Sequence, residues 1–305
     1  MDKEEPPLTR DDFADQEGWL RHCHEGGIDL ARDNEHFEGV TGSGPYARLQ
    51  GAIYGTSKLD FLRTWAKWGV SWSLRWRQFV KGYEAIAFAN CLGLVLDSAI
   101  HITWSLQGIH SDLAVADRQK AFLDAIRRWF ERHDEPAAFY WVLERGSRRG
   151  LHSHIALRIP PHLTAEFHTY ANATLARIVK GPLVHRQGER TMLIQPRRGR
   201  DIVAQWKLFA YLMKGLDSSL IFLNRANPAA SPRVSNWTFI NFKPQGEISV
   251  KRMGVSRILD DATRRRWRAV NNFPSVLISV NGPPFDDRYL QWFYANRDDI
   301  VMPTI

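Results

Sequence analysis

From Ala99 onward the chain alternates between two periods. In "AIHITWSL" (99–106) apolar and polar residues switch at every step, with Ile100, Ile102 and Trp104 on one face and His101, Thr103 and Ser105 on the other; this is the period of a half-buried strand. "RQKAFLDAIRRWFERH" then repeats at threes and fours, so that Phe122, Leu123, Ile126, Trp129 and Phe130 form one stripe of a helix that Asp117 can cap. "AFYWVLE" (138–144) is aromatic and β-branched and reads as a second strand. The turn "RGSRRG" leads into "LHSHIALRI" (151–159), which alternates again and predicts a hairpin. Thr164 opens a second helix to about Val179, and "GPLVHRQGERTMLIQP" carries a further strand with room for a small hairpin. "DIVAQWKLFAYLMKGL" (201–216) predicts a third helix, capped by Asp201 and closed near Gly215. In order this is β-α-β-β-α-β and a helix: an α+β fold of the split βαβ (ferredoxin-like or RRM-like) kind, with an antiparallel sheet and helices on one face.

The flanks are less regular. Residues 1–57 are acidic, then glycine-rich, without a sustained period, and read as a loosely structured arm. Its "HCHE" at 22–25 has no fourth group at ligand spacing. Residues 58–94 form a tryptophan-rich segment in which Trp65, Trp68, Trp72 and Trp76 recur at helical spacing as a packing face, with Gly69 and Gly82 as interruptions. The regular region spans 95–225. Beyond it, 226–305 is a basic and aromatic extension in which "GVSRILDDATRRRWRAV" predicts a short helix.

Charge sharpens this division. The net charge of the 305 residues is +8, but residues 1–40 hold twelve acidic and four basic side chains, leaving the rest at +16. Arginines cluster beside glycine or tryptophan at 75–77, 148–150, 197–200 and 264–268, which points to a polyanionic partner. Two cysteines, Cys23 and Cys91, exclude a disulfide framework. The apolar run 85–96 is shorter than the roughly 20 residues of a spanning helix, and the first residues lack a signal-peptide pattern. The expectation is a cytoplasmic protein without a membrane partner.

Two features carry chemistry. His152 and His154 project from the same side of their strand, roughly 6–7 Å apart. A hairpin register placing Glu144 opposite His152 puts Val142 opposite His154 and the carboxylate on the histidine face. Such a His-His-Glu set can hold Mn²⁺, Mg²⁺ or Zn²⁺ and leave positions for substrate oxygens. On the third helix Lys207, Tyr211 and Lys214 fall on one face. A phenol, whose free pKa is about 10, is a poor nucleophile at neutral pH unless a neighbouring cation favours the phenolate.

The ordered set of "AIHITWSL", Glu144 ahead of His152-Ser153-His154, and Tyr211 three before Lys214 resembles the HUH endonucleases, specifically the single-tyrosine rolling-circle replication initiators, over about residues 95–220. The resemblance implies an enzyme that nicks and rejoins single-stranded or hairpin DNA at an origin, leaving a 5′-phosphotyrosine and a free 3′-OH. It implies a divalent metal (Mg²⁺ or Mn²⁺, with Zn²⁺ an alternative) on His152, His154 and Glu144, with Tyr211 as nucleophile and Lys214 orienting the phosphate or phenol. Arg145, Arg148 and Arg149, then Arg197, Arg198 and Arg200, together with Lys207, would contact DNA. A host helicase and polymerase are the further partners it implies, since no ATP-binding phosphate loop is present. Ser153 stands where the family has a bulky apolar residue, and the first motif matches poorly, leaving His101 either a further ligand or none. A relaxase or single-strand transposase would share the chemistry. A non-catalytic nucleic-acid-binding protein, or a regulator reading DNA with the helix near residue 264, would use only the charge.

Overall fold

The computed structural model describes residues 71–146, 149–186, 188–196, 201–218, 220, 233–234, 240–243, 245–276, 278 and 285–301. The acidic arm, Trp65, Trp68 and Gly69 lie outside these residues.

Five strands form one antiparallel sheet: β1 (Ser98–Thr103), β2 (Phe139–Gly146), β3 (Gly150–Leu157), β6 (Met192–Pro196) and β7 (Met253–Val255), in the order β6-β1-β3-β2-β7. The first four strands are those of the split βαβ unit, and β7 adds an edge beside β2. A two-stranded hairpin, β4 (His185–Arg186) with β5 (Glu189–Arg190), stands outside it. Pairing runs Glu144↔His152 and Val142↔His154 between β2 and β3, the register expected from the sequence.

Alternation along the strands gives the sheet two different faces. One carries Ile100, Ile102, Leu143, Leu151, Ile155 and Leu157 against the connecting helices α2 (Asp112–Glu131) and α3 (Thr164–Val179). The opposite face is not left to solvent. Ala99, Tyr140, Val142 and Ala156 pack beneath α1 (Trp76–Cys91) and α4 (Ile202–Leu212), so the helix ahead of the sheet is part of its core. That second face is apolar only at one end. At the other end the positions belong to His101, Glu144, His152 and His154.

Several boundaries differ from expectation for local reasons. The first helix starts at Trp76, because residues 71–74 bridge to Ile248 and Leu216 through backbone hydrogen bonds; Trp72 is therefore exposed rather than part of a helical stripe. Gly82 does not interrupt α1: a side chain there would collide with Met253, so the glycine permits close packing. Helix α2 begins at Asp112, five residues before the expected cap at Asp117. The strand expected over 99–106 turns into a 3₁₀ segment at Trp104. Helix α4 keeps its Asp201 cap, whose Oδ1 accepts from the Ala204 amide at 2.7 Å. The predicted basic helix is α5 (Asp261–Val270), and α6 (Arg288–Asn296) follows in the aromatic tail. Among the described residues no helix is long and apolar enough to cross a membrane.

One buried amide pair fixes α4 over the sheet. Asn90 at the end of α1 and Gln205 on α4 exchange two hydrogen bonds, of 3.0 and 2.9 Å, and Gln205 Oε1 also accepts from the Leu96 amide. In Gln205→Leu these buried groups lose their partners, each at about 1–3 kcal/mol. The expected result is at least about 2 kcal/mol less stability in urea unfolding; a loss indistinguishable from zero would show that the pair does not hold α4.

Candidate metal and tyrosine site

At the polar end of the second face, strand pairing and the end of α4 bring the candidate side chains together. Glu144 is 1% exposed. Its Oε2 lies 2.9 Å from His154 Nε2 and 3.3 Å from His152 Nε2, and its Oε1 accepts from Lys214 Nζ at 2.6 Å. His101, directly across β1 from His154, meets it Nδ1 to Nδ1 at 2.5 Å. Tyr211 is 44% exposed; its ring centroid is 5.5 Å from that of His154, and Lys214 Nζ sits 3.8 Å from the tyrosine centroid.

The three residues on α4 and its end do not share one face as ideal helical spacing predicts. Lys207 and Tyr211 line an open groove of about 840 Å³ with His101, Gln195, Asp201 and Val203. Helix α4 ends at Leu212, and Lys214, in the following 3₁₀ turn, points inward to the carboxylate. An ammonium with 11% of its side chain exposed needs such a partner.

The electrostatics follow from burial and pairing. Burial alone would raise the Glu144 carboxyl, but hydrogen bonds from His152 and His154, with the charges of His154 and Lys214, hold it well below the usual carboxylate range. Burial lowers His154 to about 4 despite Glu144, so its ring is neutral at pH 7.

Glu144, His152 and His154 each offer a ligand atom, all within 4.8 Å of one another, and this buried group could hold a metal ion. The donor set fits a cation for a specific reason. His152 Nδ1 is 3.0 Å from the Gly150 carbonyl, which can only accept, so that nitrogen carries the proton. In the neutral ring the Nε2 lone pair then faces the Glu144 carboxylate, and two acceptors at 3.3 Å need a positive charge between them.

Ser153, between the two histidines, is fully buried toward α2. Its hydroxyl accepts from Trp104 Nε1 at 2.7 Å and donates to Gln119 Oε1. A polar chain of three side chains thus takes the place of apolar packing behind the histidines. Trp104 and Gln119 were legible only as core and as a helix position, because nothing local shows that both reach Ser153.

The expected DNA-contacting arginines divide. Arg145 is held by Asp112 and by the Glu247 carbonyl, and Asp112 also accepts from the backbone and hydroxyl of Ser249. Arg149 is exposed, with its carbonyl held by Ser105 at 2.7 Å. Arg148, Arg197, Arg198 and Arg200 lie outside the described residues. His101 and Gln195 are the groove residues to which the sequence assigned no firm role.

The fold and site define an α+β protein that places a buried Glu-His-His group beside an accessible tyrosine. The family model of the replication-associated protein ORF2 matches residues 100–215, a segment that contains every one of these side chains. No curated protein and no solved structure matches the chain.

A pH dependence follows. His154 is depressed in the folded state, so between about 6.5 and about 4 the unfolded chain binds more protons than the folded one, and stability falls as pH falls through that window. Glu144, also depressed, adds a loss of the same sign below its ordinary range. Urea midpoints of the chelator-treated protein should decline from pH 6.5 to 4 and flatten in His154→Gln; equal slopes in the two proteins would contradict the assignment.

Proposed function

We propose that the protein is a replication initiator that nicks and rejoins single-stranded DNA through Tyr211. The observation that carries this reading is the 5.5 Å approach of an accessible tyrosine ring to His154 of a buried Glu-His-His group, within the segment that matches a replication-associated family.

The strand would lie in the groove lined by His101, Gln195, Lys207 and Tyr211, with the Lys207 ammonium and the exposed Arg149 side chain drawing its phosphates. Glu144, His152 and His154 would hold a divalent ion, Mg²⁺ or Mn²⁺ before Zn²⁺, which when bound supplies Lewis acidity to a phosphate oxygen. Lys214 stabilises negative charge as it develops on the tyrosine oxygen, its ammonium standing over the ring. The phenolic oxygen bonds to phosphorus, the bond from phosphorus to the 3′ oxygen breaks, and the phenolic proton leaves to solvent while the 3′ oxygen gains one. The product is a 5′-phosphotyrosine with a free 3′-OH. Return of a 3′-OH to the same phosphorus releases Tyr211 and rejoins the strand without ATP, because the phosphotyrosine conserves the bond. A polymerase extending the 3′ end and a helicase opening the duplex are the partners this chemistry calls for.

The test incubates the full chain and Mn²⁺ with a library of hairpin and single-stranded oligonucleotides. The wild type should form a denaturant-resistant protein–DNA adduct and Tyr211→Phe none. An undiminished adduct in Tyr211→Phe would move the nucleophile elsewhere; no adduct from the wild type would leave nucleic-acid binding without strand transfer.

A further inference from the structure

We infer that His101 is a positioning residue that sets the tautomer of His154, and that its own Nε2 turns from acceptor to donor when a divalent cation is taken up. This rests on the reading of Glu144, His152 and His154 as a cation site.

The two ligand histidines are anchored differently. His152 Nδ1 donates to the Gly150 carbonyl, which accepts in every state, so the ring presents the same Nε2 lone pair always. His154 Nδ1 instead meets another imidazole nitrogen, His101 Nδ1, at 2.5 Å. An imidazole nitrogen can donate or accept, so this bond can run either way.

Without a cation, His154 Nε2 lies 2.9 Å from the Glu144 carboxylate, an acceptor, and the neutral ring keeps its proton there. Its Nδ1 is then a lone pair, and His101 Nδ1 must be the donor, leaving a lone pair on His101 Nε2. When His154 gives its Nε2 lone pair to a cation, its ring proton sits on Nδ1 and is donated to His101 Nδ1. His101 then carries its proton on Nε2. The two rings hold two protons before and after: the one lost to water at His154 Nε2 is balanced by one gained at His101 Nε2. The ring that changes lines the groove with Lys207 and Tyr211. Loading the cation site therefore adds a hydrogen-bond donor where a phosphate oxygen would lie, and links cation uptake to strand binding.

The experiment follows the histidine side chains of the ¹⁵N-labelled full chain by long-range ¹H–¹⁵N correlation as Zn²⁺, a diamagnetic probe, is added. His101 and His154 should exchange tautomers while His152 keeps its own. Zn²⁺ affinity should fall about 10–100-fold in His101→Phe, and stay within about threefold of wild type in His101→Gln, whose amide oxygen can accept from His154 Nδ1. Saturable Zn²⁺ binding with an unchanged His101 tautomer, or with wild-type affinity in His101→Phe, would overturn the inference and leave the metal site standing. Equal weakening in both variants would point to packing and also count against it. Absence of saturable Zn²⁺ binding would remove the metal reading and the inference together.

Discussion

A carboxylate removed from water costs several kcal/mol unless its charge is met by well-placed donors, and the Glu144 side chain is almost wholly buried. Its oxygens are met by two imidazoles and an ammonium, delivered by different parts of the fold. His152 and His154 arrive by strand register; Lys214 arrives because α4 ends where it does. If any of these were displaced, an unpaired charge would remain inside the protein. The same set of partners that makes the burial tolerable leaves a cluster of lone pairs suited to a cation.

The rest of the structure holds those partners in place. The chain of Trp104, Ser153 and Gln119 fixes β3 against α2 from the face opposite the histidines. Arg145, bonded to Asp112 and to the Glu247 carbonyl, ties the end of β2 to α2 and to the C-terminal segment. The Asn90 and Gln205 amides hold α4 to α1, which brings Tyr211 and Lys214 over the polar end of the sheet. Arg252, buried and donating to Ser71 and Gly246, closes the same end from the far edge. Tyr211 alone of the central side chains keeps substantial exposure, as a group meant to meet a substrate must.

Much of this was legible in the sequence because it depends on local periods. Alternation in "LHSHIALRI" and the short turn before it determine that His152 and His154 share a face and that Glu144 pairs opposite His152. Thr164 to Val179 and the Asp201 cap follow from helix signals of the same local kind. What was not legible depends on partners distant in the chain. His101 faces His154 only through the β1 to β3 pairing, across 53 residues. Ser153 reads locally as a loss of packing because its partners, Trp104 and Gln119, lie on other elements. Gly82 reads as a break because the close approach of Met253 is invisible in the local pattern. Ideal helical spacing puts Lys214 on the face of Tyr211, since it does not show where α4 stops.

The Glu144 carboxylate is the charge that gathers these groups into a cation site. Calorimetric titration of Mn²⁺ into the chelator-treated full chain tests this most directly, with Glu144→Gln as the comparison because the amide keeps the shape and loses the charge. One ion bound per wild-type chain, and no saturable binding by a folded Glu144→Gln, is the predicted result. Equal binding by the two proteins would contradict it.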